Sequence, residues 1–415
     1  MKRPVRHGWL PLILSLALVG AACGRNGQAT ARGQVKNQSA SPKTVAPPPA
    51  PVDPVATNEA MRQLWEQHVA WTRFYVVSAL AGLPDTQPTF ERMLRNQDDI
   101  GRAVKPYYGE EAGTQLIVLL RTHITQAADL LKAAKAGDQA ALAKARQAWY
   151  ANADDIAAFL SRVNPKNWPV DRIKTMLHTE LDQTIAETTN RLNGNYQAEF
   201  AAYDAAEDQI LKLADTFSSG IVAQFPDRFS PPSVPPSQVA FRNAMRKVWE
   251  DDITWNRLSI VSALSGLPDA QLTAQRLLRT QDDIGAAVKP YYGEAAGTKL
   301  AQLLRTHVTQ EADLLKAAKA GDQAALGKAK DAWYASGDDI AAFLSHVNPS
   351  YGSVDHLKAL WRGDLDQTFA EVTNRLNGNH EAEIADQDII EDQTLGIADT
   401  LSSGIVAQFP DKFAA

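Results

Sequence analysis

The chain has 415 residues, 45% hydrophobic and 22% charged, the balance of a globular protein with room for two or three domains. Its formal charge is −6, and losing Lys2, Arg3 and Arg6 with the first 22 residues takes it to −9. No basic stripe remains to neutralise phosphates, which argues against nucleic acid as a partner. The one cysteine, Cys23, excludes an intramolecular disulfide and any metal site built from several cysteines.

Residues 1–22 read as a lipoprotein signal peptide. Three basic residues precede an apolar run over 9–19, too short to span a bilayer of ~30 Å as a permanent helix. The run closes on Gly20-Ala21-Ala22-Cys23-Gly24, which resembles a bacterial lipobox. That resemblance implies a lipidated Cys23 as the mature N-terminus. Gly20 replaces the usual larger aliphatic residue, which leaves ordinary signal-peptidase cleavage as the rival. Two or more acyl chains would anchor the protein stably to a membrane outside the cytoplasm. Residues 23–56 are rich in Gly, Gln, Ala, Ser and finally Pro, the composition of a disordered tether.

Helix signals then fill the chain and strand signals are absent. Residues 58–81 carry Met61, Leu64, Trp65, His68, Trp71 and Tyr75 on one stripe and stop at Gly82-Leu83-Pro84. A second helix is expected at 89–105. Pro106-Tyr107-Tyr108-Gly109 is the turn into a third at 110–136. Gly137 supplies a left-handed stop and Asp138 an N-cap for a fourth at 138–163. Lys132 and Lys135 suit the negative end of the third helix. Pro169 is expected at the first position of a fifth helix, and a sixth runs over 195–225.

From Met61 to Phe229 and from Met245 to Phe413 the chain repeats without a gap at an offset of 184, with about two-thirds of positions identical. The corner sequence ADLLKAAKAGDQAAL recurs letter for letter at 128–142 and 312–326. The expected organisation is an all-α pair of tandem, homologous up-and-down bundles, each of four or more long helices. Repeat 1 spans 57–229 and repeat 2 spans 241–415, with a proline-rich linker at 230–240. That linker has no apolar periodicity, so each repeat is expected to fold alone.

The pattern Trp65-x-x-His68-x-x-Trp71-x-Arg73, Gly82-Leu83-Pro84-Asp85, Gln97-Asp98-Asp99-Ile100-Gly101, Pro106-Tyr107-Tyr108-Gly109, Trp149-Tyr150 with Asp154-Asp155-Ile156, and Gln224-Phe225-Pro226 resembles an uncharacterised helical domain of spore-forming bacteria. The resemblance covers each repeat end to end. It implies the fold and carries no activity or site.

Signatures of common enzyme classes, including G-x-S-x-G, the P-loop, G-x-G-x-x-G and H-E-x-x-H, are missing. Three polar residues interrupt apolar stripes: His68, His123 and Glu207. Buried without a partner each would cost several kcal/mol, so each needs a hydrogen bond or a metal. In repeat 2 they become Asp252, His307 and Glu391, and a His-to-Asp exchange does not preserve a site for a softer metal. Ordinary buried pairing is the favoured reading and a metal or catalytic centre in each repeat the alternative. One of Asp154 and Asp155 is expected to pair with Arg73, and one of Asp338 and Asp339 with Arg257. The tyrosine pairs Tyr107-Tyr108 and Tyr291-Tyr292 read as aromatic plugs. The glycines of Ser218-Ser219-Gly220 and its copy ending at Gly404 imply close helix packing or a kink. The repeats diverge most between 166–180 and 350–364, where drift of a solvent-facing end is favoured over distinct contact surfaces.

These readings point to a non-enzymatic, lipid-anchored binding or structural module of the cell envelope, without a cofactor. Its partners would be the membrane, through the N-terminal lipid, and an envelope protein or small ligand.

Overall fold

The computed structural model describes residues 51–414. The leader, Cys23 and the tether up to residue 50 lie outside them. Among the described residues the fold is all-α, with ten α-helices and one isolated bridge, between Val52 and Phe229. Repeat 1 holds α1 (Pro54–Ala81), α2 (Thr86–Ala136), α3 (Gln139–Val163), α4 (Val170–Leu192) and α5 (Tyr196–Gln224). Repeat 2 holds α6 (Pro236–Ser265), α7 (Ala270–Ala320), α8 (Gln323–Val347), α9 (Val354–Leu376) and α10 (His380–Gln408). Within each repeat every helix packs on the next, and α5 closes on α1 as α10 closes on α6.

The helix ends follow local chemistry. Gly137 ends α2 at φ 68°, and the Asp138 carboxylate accepts from the Ala141 N–H at 3.0 Å. Lys135 serves a different helix from the one expected: its ammonium donates to the Ala79 carbonyl at the end of α1, 2.6 Å away. α1 starts at Pro54 and α6 at Pro236, inside the stretches read as tether and linker. Proline loses nothing at a first helical position, and Asp53 accepts from the Val55 N–H beside it. Pro169 stands just before α4, at ψ 133°, instead of opening it.

The expected turn at 106–109 lies inside α2, which breaks at Gly109 (φ 87°, ψ 169°). Its arms fold back on each other, since Arg121 reaches Asp98 at 3.0 Å and the Leu94 carbonyl at 3.4 Å. Gly101 and Gly113 allow that approach: a Cβ on either would lie within 3.0 Å of the other's carbonyl oxygen. Tyr107 stacks on Phe229 at 5.7 Å, and Tyr108 meets Trp168 and Phe225, closing that end of the bundle. Gly220 also has a packing role, because a Cβ there would meet the Trp168 ring nitrogen at 2.0 Å.

The two cores are not private. Trp255, Leu258, Val261 and Leu277 of repeat 2 belong to the same buried cluster as Trp65, Phe74 and Phe200 of repeat 1. Residues 51–414 form one compact unit. Most of the buried residues of repeat 2, among them Trp249, Trp333 and Trp361, form a second cluster, so the proline-rich stretch joins two cores that share a border. The contact runs between α1, α2, α5 and the end of α4 on one side and α6, α7, α10 and the end of α9 on the other.

Candidate functional site

The face between the repeats is built from charged side chains placed in reciprocal pairs. On α1, Arg73 is 1% exposed and lies 2.9 Å from Glu187 of α4 and 3.1 Å from Glu199 of α5. Arg191, at the end of α4, shares Glu199 at 3.0 Å and crosses to Asp269 of repeat 2 at 2.8 Å. Repeat 2 returns each contact 184 positions on. Arg257 binds Glu371 and Glu383, while Arg375 binds Glu383 and crosses to Asp85 at 2.9 Å.

The crossing aspartates come from a turn. Gly82, at φ 70°, stops α1, and Asp85 then takes the N-cap position of α2 without making a side-chain cap bond. Its carboxylate is free to reach Arg375. Burial opposes its ionised form, but Arg375 prevails and holds it below the ordinary aspartate range.

Aromatic and ionic contacts repeat the exchange. The Arg73 guanidinium lies 4.8 Å from the Trp255 ring, and that of Arg257 5.4 Å from Trp71, each a cation–π contact across the seam. Arg92 binds Asp388 at 2.7 Å and Arg276 binds Asp204 at 3.1 Å. The seam has the isologous form of a two-fold dimer interface, folded into one chain.

At its centre the symmetry fails. Glu66 and Glu250 are counterparts, both buried, as are Glu207 and Glu391. Beside Glu207 stand Lys247, which bonds it, and Asp251, 3.2 Å from the same ammonium. Beside Glu391 the corresponding residues are Gln63 and Gln67, whose amides donate at 3.2 and 2.7 Å. One carboxylate oxygen each of Glu66, Glu250 and Asp251 is buried without a hydrogen-bond partner among the described residues. Burial pushes Glu66 and Glu391 up from the usual glutamate range, and drives Glu207 and Glu250 well above it with neighbouring carboxylates adding to the effect.

The residues singled out in the sequence separate here. His68 and His123 lie in the interior of repeat 1. The first has Nδ1 3.2 Å from Gln97 Oε1, and the second 2.8 Å from Asn152 Oδ1. Burial lowers them to about 4 and about 3, which keeps both neutral. His307 bonds Ser336 Oγ at 2.8 Å and is likewise lowered to about 3. Asp252 accepts from the Gln281 amide, and burial raises it to about 7. Gln97 faces His68 through its amide oxygen, whereas its repeat 2 counterpart Gln281 donates its amide N–H to Asp252, the amide turned the opposite way round. Glu207 and Glu391 belong to the seam, apart from the histidines' partners. Among the described residues no group of three or more His, Cys, Asp or Glu could hold a metal ion.

The expected arginine partners of the Asp-Asp pairs are also corrected. Asp154 binds Lys174 at 2.7 Å and His178 at 2.8 Å, and Asp338 binds Arg362 at 2.7 Å. Arg73 and Arg257 are taken by glutamates, Glu187 with Glu199 and Glu371 with Glu383, while α3 packs on α4 and α8 on α9 and so bring Asp154 and Asp338 to Lys174 and Arg362. Sequence reasoning missed Asp85, Glu187, Glu199 and Arg191. Their one signal was an arginine two residues after an inward tryptophan, as in Trp71-x-Arg73.

A cavity of about 680 Å³ opens beside the start of α1, lined mainly by apolar residues such as Val55, Val222, Val234 and Val239. Among the described residues its one ionisable lining group is Asp215, held by Arg62 at 2.9 Å. No helix among the described residues is long and apolar enough to cross a membrane. No family model, curated protein or solved structure matches this chain.

Proposed function

We propose that this protein is a lipid-anchored, extracytoplasmic module of the cell envelope, acting by binding or by structure instead of by catalysis. The observation that carries the reading is the sole cysteine, Cys23, placed at the end of a short apolar leader and followed by a proline-rich tether. The interior supports the non-enzymatic part. The buried arginines are committed to glutamates and aspartates, and the three histidines to amide or hydroxyl partners. The resemblance to a helical domain of spore-forming bacteria is compatible with this role.

Expression with a labelled fatty acid tests the anchor. The wild type should take up label and partition with membranes, and Cys23→Ser should lose both. Equal labelling of the variant would sink the lipid anchor and leave ordinary leader cleavage.

A further inference from the structure

The seam centre holds more negative groups than its cations can neutralise. Five carboxylates meet there, those of Glu66, Glu207, Glu250, Glu391 and Asp251, each at most 8% exposed. Among the described residues, each nearby cation but Lys247 has its main partner outside this group. Arg62, on α1 with Glu66, binds Asp215 at 2.9 Å. Arg246, on α6 with Glu250, binds Asp399 at 2.7 Å. Arg92 of α2 faces Glu391 but binds Asp388 of α10. Arg276 of α7 stands 3.6 Å from Asp251 but binds Asp204 of α5 at 3.1 Å. That leaves Lys247, shared between Glu207 and Asp251. Tyr203 of α5 faces the same centre and, kept neutral by burial, adds no charge.

Five ionised carboxylates buried together, with Lys247 bonding only Glu207 and Asp251 and Arg276 3.6 Å from Asp251, would repel strongly. The closed seam must therefore hold protons on several of them. Glu66 lies on α1 and Glu250 on α6, two helices in contact across the seam, and the charge of Glu66 adds to the burial that raises Glu250.

We propose that the contact between the repeats is a proton-operated latch, closed while the glutamates of the seam share protons and parting as those protons leave. The inference stands whether or not the chain is lipid-anchored. Burial raises Glu66 from an ordinary value of 4.5 to about 7, so the closed form keeps protons that a hydrated, open form releases. At Glu66 the closed form then loses its advantage as pH rises from about 4.5 through about 7, and Glu207 and Glu250, raised further, carry the loss to higher pH. A device of this kind joins local acidity to the exposure of the seam faces of α1, α6, α5 and α10.

Hydrogen exchange on the full chain at pH 5 and pH 8, corrected for intrinsic rates, tests it. Amides of α1 and α6 should lose protection about tenfold or more at pH 8 relative to those of the outer helices α3 and α8. Glu66→Gln combined with Glu250→Gln should flatten that difference. Glu180→Gln, which removes a buried carboxyl bonded to Thr184 and not one of the five at the seam centre, should leave it as in the wild type. Seam and outer helices changing together in the wild type would overturn the latch, and this comparison decides even if the double variant does not fold. An undiminished difference in a folded double variant would overturn it equally.

Discussion

Set side by side, the two repeats differ in ways that mostly cancel within each core. Repeat 1 covers Gly220 with Trp168, whose indole N–H donates to the Thr216 carbonyl at 3.0 Å. Repeat 2 has Gly352 at the position of Trp168, and Tyr351 covers Gly404 in its place, its hydroxyl 2.7 Å from that of Tyr292. Where Leu177 becomes Trp361, Ala153 becomes Gly337, and a Cβ on that glycine would lie 2.7 Å from the Trp361 ring. Where Ala127 becomes Glu311, Thr72 becomes Asn256, whose amide donates to the new carboxylate at 2.9 Å. His178 gives way to Arg362, and each pairs with the counterpart aspartate. Close packing explains the pairing of these changes, since neither a lost methylene nor an orphaned polar atom is tolerated for long in a filled interior. The stretch that diverges most is thus partly buried, with Trp168 and Tyr351 as its plugs, and is not simply a drifting solvent-facing loop.

The strongest way to break the likeness between the repeats is at the element they share. Arg73→Met would leave Glu187 and Glu199 without their common guanidinium and strip the cation from Trp255. Removing one side of a buried ion pair costs about 3–5 kcal/mol, so urea unfolding should show a large drop in midpoint. Arg257→Met should cost a similar amount, because its partners are counterparts. A loss below ~1 kcal/mol in either would mean that the network adds little to stability.

Size exchange sharpens the comparison at a smaller scale. Leu177→Trp alone should overpack repeat 1 by about 1–3 kcal/mol. Adding Ala153→Gly, to reproduce the repeat 2 pair, should recover at least ~0.5 kcal/mol of that. Additive losses in thermal or chemical unfolding would show that the two positions do not trade volume.

The smallest effect is expected where the sequence suggested the largest division. Cleavage within residues 230–235 cuts no helix, because α6 starts at Pro236. The two halves should stay together on size-exclusion chromatography, held by the reciprocal seam. Separation into two folded fragments would restore the picture of independent domains.

That contrast marks what could be read from the chain. Helix stops and corners were legible because they rest on residues with strong local preferences, such as Gly137 with Asp138 and Pro106 with Gly109. The inward tryptophans were legible from their spacing. The seam was not, because Arg73, Asp85, Glu187 and Arg191 are charged, and charge on a helix ordinarily marks a face turned to water. Only their mutual placement, set by helices far apart in sequence, makes burial tolerable. The partner of Asp154 was misread for the same reason, since register between helices is not written in either one alone.

Fusion of the repeats into one polypeptide also changes what evolution can do with the interface. In a dimer of identical subunits a substitution at the axis always arrives twice, so both flanks must change together. Here Lys247 and Asp251 attend Glu207 while Gln63 and Gln67 attend Glu391. Covalent linkage permits that broken symmetry and makes it heritable. One flank can then be tuned in charge and proton affinity while the other is held constant.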